Sequence, residues 1–198
     1  DFVAGEYVVG LLAEAFLTRE PGQKIVHDAR VIWATQDVVT QMGGQAVQSQ
    51  CGHSFIKKVM RKTGAVYGGE MSAHHYFRDF MGCDSGMIPM LLMIEIVSRR
   101  GRSLRDLLEE RKAAYPSSGE VNFCVPDQAS VIAAIEETYG SQAESRDETD
   151  GLSLSFKHWR FNLRASNTEQ LLRLNIEARG KPDMVVEKLA ELRALITA

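Results

Sequence analysis

RFNLRASNTEQLLRLNIEA, residues 160–178, holds two alternating segments joined by a run of small polar residues. Phe161 and Leu163 alternate with Arg160, Asn162 and Arg164. After Ala165, Ser166, Asn167, Thr168 and Glu169, alternation resumes with Leu172, Leu174 and Ile176 set against Arg173, Asn175 and Glu177. A period of two predicts two half-buried strands and a connecting loop. A minimal connector would be Asn-Gly or Asp-Gly in two residues. This loop instead follows an arginine with two hydroxyls and an amide. Arg164 offers a planar fork of donors that matches phosphate oxygens. Ser166 and Thr168 add hydroxyls, Asn167 an amide, and the turn its own N–H groups, which together make an anion nest. The plainer alternative is a polar hairpin whose side chains satisfy their own turn.

Working outward, residues 121–125 read as a strand, and Asp127 caps a helix over 128–139. The charged stretch 144–150 reads as solvated loop. Residues 152–156 alternate, and Pro182 starts a final helix through Ile196. This is a small α+β domain, an antiparallel sheet with helices on one face. Tyr115-Pro116-Ser117-Ser118-Gly119 marks the best boundary, dividing the chain into 1–116 and 117–198. Ahead of it, strands at 24–27, 46–49 and 65–67 alternate with helices at 7–17, 37–42 and 55–62. A strongly apolar helix over 85–99 follows, with Pro89 tolerated in its first turn, then one over 104–114 capped by Ser103. Alternation of this kind predicts an α/β domain with a mostly parallel sheet flanked by helices.

Ligands in such sheets bind at the carboxyl ends of the strands. AVYGGEMSAHHYFRD, residues 65–79, ends a strand in two glycines followed by Glu70, Ser72, His74 and His75. A carboxylate beside a hydroxyl and an imidazole suits a polyol, the carboxylate accepting from neighbouring OH groups. Glu70 as a helix first-turn charge, with ordinary histidines, is the bland alternative. A metal fits poorly, because histidines at i and i+1 splay apart on a helix. Arg30, in HDAR after a strand, and His53, in CGHSFIKK before a helix, lie in turns at the same sheet edge. His53 suits proton transfer or phosphate contact. Taken singly, each is as readily an ordinary residue at a helix start. Lys57, Lys58, Arg61 and Lys62 form the wet face of an amphipathic helix.

The bulk numbers restrict function further. The chain has 198 residues and a net charge of −3, so no global basic field recruits nucleic acid. No apolar run approaches the ~20 residues that cross a bilayer, so no membrane partner is expected. Cys51, Cys83 and Cys124 are scattered and odd in number, which fits reduced thiols and a cytoplasmic setting. The opening DFVAGEYVVGLL has neither an initiator Met nor a basic signal-peptide region and reads as part of something longer.

Four segments together resemble one family, the phosphohexomutases of the bacterial phosphomannomutase/phosphoglucomutase type. GEMSAHHYFRD, residues 69–79, resembles that family's sugar-recognition loop, and RASNTE, residues 164–169, its C-terminal phosphate-binding loop. GHSFIKK (52–58) and HDAR (27–30) are similar to third-domain segments. The resemblance runs in order along essentially the whole chain and covers the family's third and fourth domains. It implies that Glu70 and Ser72, with His74 beside them, bind sugar hydroxyls. It implies that Arg164, Ser166, Asn167 and Thr168 grip the non-reacting phosphate, and that Arg30 and His53 support the reacting centre. Ala73 stands where many relatives have Gly, and Gln170 where Pro usually follows the phosphate loop. The family's phosphoserine and its Mg²⁺-holding aspartate loop have no counterpart here. The implied partners are a phosphosugar and the N-terminal domains of the same polypeptide, with Mg²⁺ in the full-length enzyme only. The implied reaction interconverts mannose 6-phosphate and mannose 1-phosphate through a bisphosphate, and the 198 residues alone are expected to be inactive. A sister mutase for glucose or glucosamine phosphates, or a non-catalytic phosphosugar-binding module, are the alternatives.

Overall fold

The computed structural model describes residues 3–166 and 169–198. Spatial contacts divide the chain into two units, Asp1–Lys112 and Ala113–Ala198. That division falls four residues ahead of the 116/117 boundary expected from composition.

The first unit begins with α1 (Gly5–Arg19), whose residues are buried on most sides. A parallel core follows: β1 (Lys24–Asp28), α2 (Trp33–Gln41), β2 (Gln45–Ser49), α3 (His53–Thr63) and β3 (Tyr67–Gly69). β1 pairs in parallel with both β2 and β3. The sheet is then extended by a hairpin, β4 (His75–Phe77) and β5 (Cys83–Asp84), to give the order β2-β1-β3-β4-β5. α4 (Met87–Arg100) and α5 (Leu104–Ala114) complete the unit. The expected mixed, mainly parallel architecture is therefore present, with an antiparallel edge.

Local chemistry explains the elements. α3 buries Ile56 and Met60 and turns its lysines outward. It carries Arg61 and Lys62 in its last turn, where cations suit the helix dipole, and ends on left-handed Gly64. Gly68 has a packing reason: a Cβ there would lie 2.7 Å from Met60 Sδ and 3.0 Å from Ile56 Cγ2, so a larger residue would force the buried face of α3 to shift. Across the sheet, the Phe16 and Tyr67 rings stack at 5.2 Å. Ser103 caps α5 as expected, its Oγ accepting from the Asp106 N–H at 3.2 Å.

The second unit contains β6 (Ser117–Cys124), α6 (Gln128–Tyr139), β7 (Ser145–Asp147), β8 (Leu152–Ser155), β9 (Trp159–Ala165), β10 (Leu171–Ala178) and α7 (Pro182–Ile196). The sheet order is β6-β10-β9-β8-β7 and every pairing is antiparallel. Asp127 caps α6 through the Ser130 N–H at 3.1 Å. The stretch expected as solvated loop at 144–150 instead supplies β7, a short exposed edge strand. Its backbone pairs with β8 although two of its three side chains, Arg146 and Asp147, are charged, a common way to keep a sheet edge soluble.

The alternation in 160–178 sorts the two sheet faces. Phe161, Leu163, Leu172, Leu174 and Ile176 join Phe123, Ile135 and Leu192 in the core. The other set is also largely buried. Arg160 and Glu177, directly opposite across β9 and β10, form an ion pair at 2.8 Å with side chains 1% and 0% exposed. Asn162 donates to the Asp150 carbonyl and to Ser153 Oγ, and Asn175 donates to the Gly119 carbonyl. These strands are covered on both faces, where half-burial was expected.

Candidate functional site

In the first unit, three loops leave the carboxyl ends of β1, β2 and β3 on one edge of the sheet. They carry Arg30, His53 and the segment from Glu70 to His74. Two buried carboxylates tie them together.

Asp28, the last residue of β1, is 2% exposed. Its Oδ1 accepts from the Arg30 backbone N–H at 3.0 Å. Its Oδ2 accepts from Arg30 Nε at 3.0 Å, from Arg30 Nη2 at 2.6 Å and from the Met71 backbone N–H at 2.8 Å. Arg30 in turn donates from Nη2 to Ser72 Oγ at 3.3 Å. The β1 loop and the β3 loop are thus held by one carboxylate and one guanidinium.

Glu70 does the same between β2 and β3. Its Oε2 accepts from the Gly52 backbone N–H at 2.7 Å, and its Oε1 from the Tyr76 hydroxyl at 2.6 Å. Gly52 immediately precedes His53, the first residue of α3, so this bond sets where that helix starts. The Tyr76 phenol is pushed well above its ordinary value by burial and by Glu70. It stays a proton donor to the carboxylate at any ordinary pH. Glu70 is therefore buried and doubly engaged, where sequence reasoning pictured an open acceptor for a polyol.

Ser72, Ala73 and His74 form the exposed rim of the loop. Ala73 holds a left-handed φ of 65°, unusual for a residue with a Cβ, and its N–H donates to the Glu70 carbonyl. His74 Nδ1 lies 3.7 Å from Asp84 Oδ2, and Lys57 Nζ lies 3.5 Å from Asp84 Oδ1. The Asp84 carboxyl is held below its ordinary range, first by its own backbone N–H and then by Lys57 and His74. α1 supports the rim from behind. A Cβ on Gly5 would meet the Met71 carbonyl oxygen at 2.3 Å and the Ala73 nitrogen at 2.9 Å.

His75 belongs to the core rather than the rim. It shares a 2.7 Å hydrogen bond with the Tyr67 hydroxyl. Burial, and then the neighbouring His74, lower it to about 4.

In the second unit, the Ser166 N–H donates to the Leu171 carbonyl at 2.8 Å and closes the β9–β10 turn. Asn167 and Thr168 lie outside the described residues. Arg164 is buried for most of its length and donates from Nη2 to Glu120 Oε2 at 3.0 Å. Arg173, directly opposite Arg164 across the strands, lies 3.5 Å from Glu120 Oε1 and 3.0 Å from Glu169 Oε2. Among the described residues no three His, Cys, Asp or Glu side chains gather as a metal set.

Two family profiles cover nearly all of the chain. Residues 4–115 match the phosphoglucomutase/phosphomannomutase alpha/beta/alpha domain III, and residues 120–195 match the C-terminal domain of the same proteins. The chain belongs to the phosphoglucomutase/phosphomannomutase family. It is 53% identical over 198 residues to a phosphomannomutase of Salmonella montevideo, covering all of this chain and 43% of that protein. It is 52% identical over 195 residues to a protein of Xanthomonas campestris pv. campestris described as phosphohexose mutases, covering 98% and 44% respectively. The chain thus spans less than half the length of the curated relatives it matches. Its fold is similar to a phosphoglucomutase/phosphomannomutase family protein of Burkholderia thailandensis, with TM-score 0.77, 26% identity, and 98% of this chain against 42% of that one.

Seen as members of this family, the residues sequence reasoning missed are the supporting ones. Asp28, Tyr76 and Glu120 fix Arg30, Glu70 and Arg164 respectively. Asp28 had a signal, an acid two residues ahead of a basic one at a strand end. Glu120 had none, because its partners lie more than forty residues away.

Proposed function

We propose that these 198 residues form the sugar- and distal-phosphate-recognising part of a phosphohexomutase that interconverts mannose 6-phosphate and mannose 1-phosphate. The observation that carries this reading is the shared edge of β1, β2 and β3. There Arg30 reaches Ser72, and Glu70 reaches the start of the helix that bears His53.

On this reading Ser72 and His74 meet sugar hydroxyls from the exposed rim. Glu70 meets them as a carboxylate already fixed by two donors, with acceptor sites remaining. Arg30 supplies fixed positive charge and His53 a titratable group near the reacting oxygens. Arg164 and Ser166, with Asn167 and Thr168, hold the phosphate that is not being transferred. Phosphoryl transfer depends mainly on positioning and charge stabilisation, so recognition of this kind is a large part of the catalysis. A mutase that uses both ends of its sugar must also accept it in two orientations. Hydroxyl contacts combined with a distal phosphate grip meet that need. The phosphoserine and the Mg²⁺ of such a reaction belong to the part of the parent protein outside this chain.

An NMR titration of the chain with mannose 1-phosphate tests the reading. Shifts are expected at Ser166 and at the Ser72–His74 rim, with the first set lost in Arg164→Ala. No shift in either loop at saturating ligand would sink it. In the full-length parent, relative turnover of mannose 1-phosphate and glucose 1-phosphate decides the hexose.

A further inference from the structure

Lys57 was expected with Lys58, Arg61 and Lys62 on the wet face of α3, and the structure sets it apart from them. The other three are exposed, whereas the Lys57 side chain is only 22% exposed. It stands one turn after His53, on the same face of the helix. Its ammonium has two neighbours at once. Nζ lies 3.5 Å from Asp84 Oδ1 and 5.7 Å from the centroid of the Tyr76 ring, within cation–π range. Both are in reach because Tyr76 and Asp84 are direct partners across the β4–β5 hairpin.

Each neighbour supports a residue of the candidate site. The Tyr76 hydroxyl donates to Glu70 Oε1 at 2.6 Å. Asp84 turns its other oxygen, Oδ2, to His74 Nδ1 at 3.7 Å. That is an ion-pair separation, and a small rotation of either side chain brings it to hydrogen-bond length. Exposure rises along the series, from 22% at Lys57 to 45% at Asp84 and 59% at His74. Burial therefore does not fix the imidazole, and its orientation has to come through Asp84 from the better-covered lysine. An imidazole whose Nδ1–H points at a carboxylate keeps Nε2 as an acceptor. At a rim that meets hydroxyl groups, that is the form able to accept from one.

We infer that Lys57 is a positioning residue of the rim: it holds Asp84, so that Asp84 holds His74 by Nδ1 and leaves Nε2 to accept from a sugar hydroxyl. This rests on the reading of the rim as a sugar site. Lys57 touches no ligand in this scheme and acts through its neighbours. The same ammonium, over the Tyr76 ring, joins the support of His74 to that of Glu70.

The test reads the tautomer of His74 from its imidazole nitrogen NMR shifts in the 198-residue chain, at about pH 8, where an ordinary imidazole is neutral. The Nδ1–H form is expected to dominate in the parent chain. Asp84→Ala should return His74 to the Nε2–H form that a free imidazole prefers. Lys57→Met keeps the carbon stem beside Tyr76 and removes the charge, and should shift the mixture part of the way. Lys57→Arg should restore it. In a titration with mannose 1-phosphate, Lys57→Met is expected to bind roughly two- to ten-fold more weakly than the parent, the loss of one well-oriented hydrogen bond. If the tautomer mixture in Lys57→Met matches the parent, the inference falls, whatever Asp84→Ala does. If the tautomer moves as expected but the parent shows no response to mannose 1-phosphate, the sugar reading falls and the hold of Lys57 on His74 stands.

Discussion

Two arginine–carboxylate pairs stand at the candidate site loops of this chain, and they are built differently. Arg30 and Asp28 are 8% and 2% exposed, and Asp28 also accepts two backbone N–H groups. Arg164 and Glu120 are 12% and 24% exposed, and Glu120 divides its oxygens between two guanidiniums. The first pair is a frame: it ties the β1 loop to the β3 loop through buried backbone and side-chain donors. The second is a clamp, one carboxylate shared by two guanidiniums that water reaches more readily. The same two functional groups make a buried, backbone-anchored tie in one unit and a partly exposed, shared pair in the other, a difference set by how many backbone donors they satisfy and how much water reaches them.

The strongest way to break this comparison is Asp28→Ala. It leaves Arg30 without its main counter-charge in a buried site and frees the Met71 N–H. The expected loss is about 3–5 kcal/mol in the first unit. Urea unfolding followed at Trp33 in a Trp159→Phe background measures it, since the chain has two tryptophans and each unit holds one. A loss below about 1 kcal/mol would show that Asp28 is no frame.

Acid should separate the units next. Burial holds His75 at about 4 against an ordinary 6.5. As pH falls, the unfolded chain takes up this proton before the folded one. The stabilisation is therefore present above about 6.5, drains away between 6.5 and 4, and changes no further below. The expected loss is on the order of 3 kcal/mol. His75→Gln should flatten the slope at Trp33 and leave the Trp159 signal unchanged.

Glu70→Gln is a milder probe of the frame. One of its two acceptors becomes an amide donor facing either Gly52 N–H or the Tyr76 hydroxyl, at about 1–3 kcal/mol. Amide exchange at Gly52 should accelerate. The smallest effect belongs to the clamp. Glu120→Gln should change stability by less than about 1 kcal/mol, as partly exposed pairs do. A larger loss, read at Trp159, would make the clamp a second frame and remove the contrast.

How much of this was legible in the residues follows the range of the forces involved. The β9–β10 hairpin was readable because period-two alternation is written in consecutive side chains. The β1–α2–β2–α3–β3 alternation was readable for the same reason. The β4–β5 hairpin was not, because three residues and two residues are too few to show a period. β3 begins two residues later than expected, because its glycines look like a strand end and are instead strand positions packed closely, Gly68 against Met60 and Gly69 against Val9. The site was legible as a set of loops and residue types: Arg30, His53 and the Glu70–His74 segment do meet on one edge. Their hydrogen-bond partners were not legible. That Glu70 faces inward depends on Tyr76 arriving from an unforeseen strand. The burial of Arg160, Asn162, Asn175 and Glu177 goes with partners the fold brings from elsewhere in the sequence, such as the Asp150 and Gly119 carbonyls.

Ala73 carries a last consequence. Its left-handed backbone costs roughly 1–2 kcal/mol in a residue with a Cβ. Glycine there would relieve that strain at a smaller entropic cost, so Ala73→Gly should make the first unit slightly more stable. The alanine holds the rim under tension, like a bent spring kept in place by its neighbours. The turn keeps its shape because the residues around it over-determine it, against the preference of its own backbone.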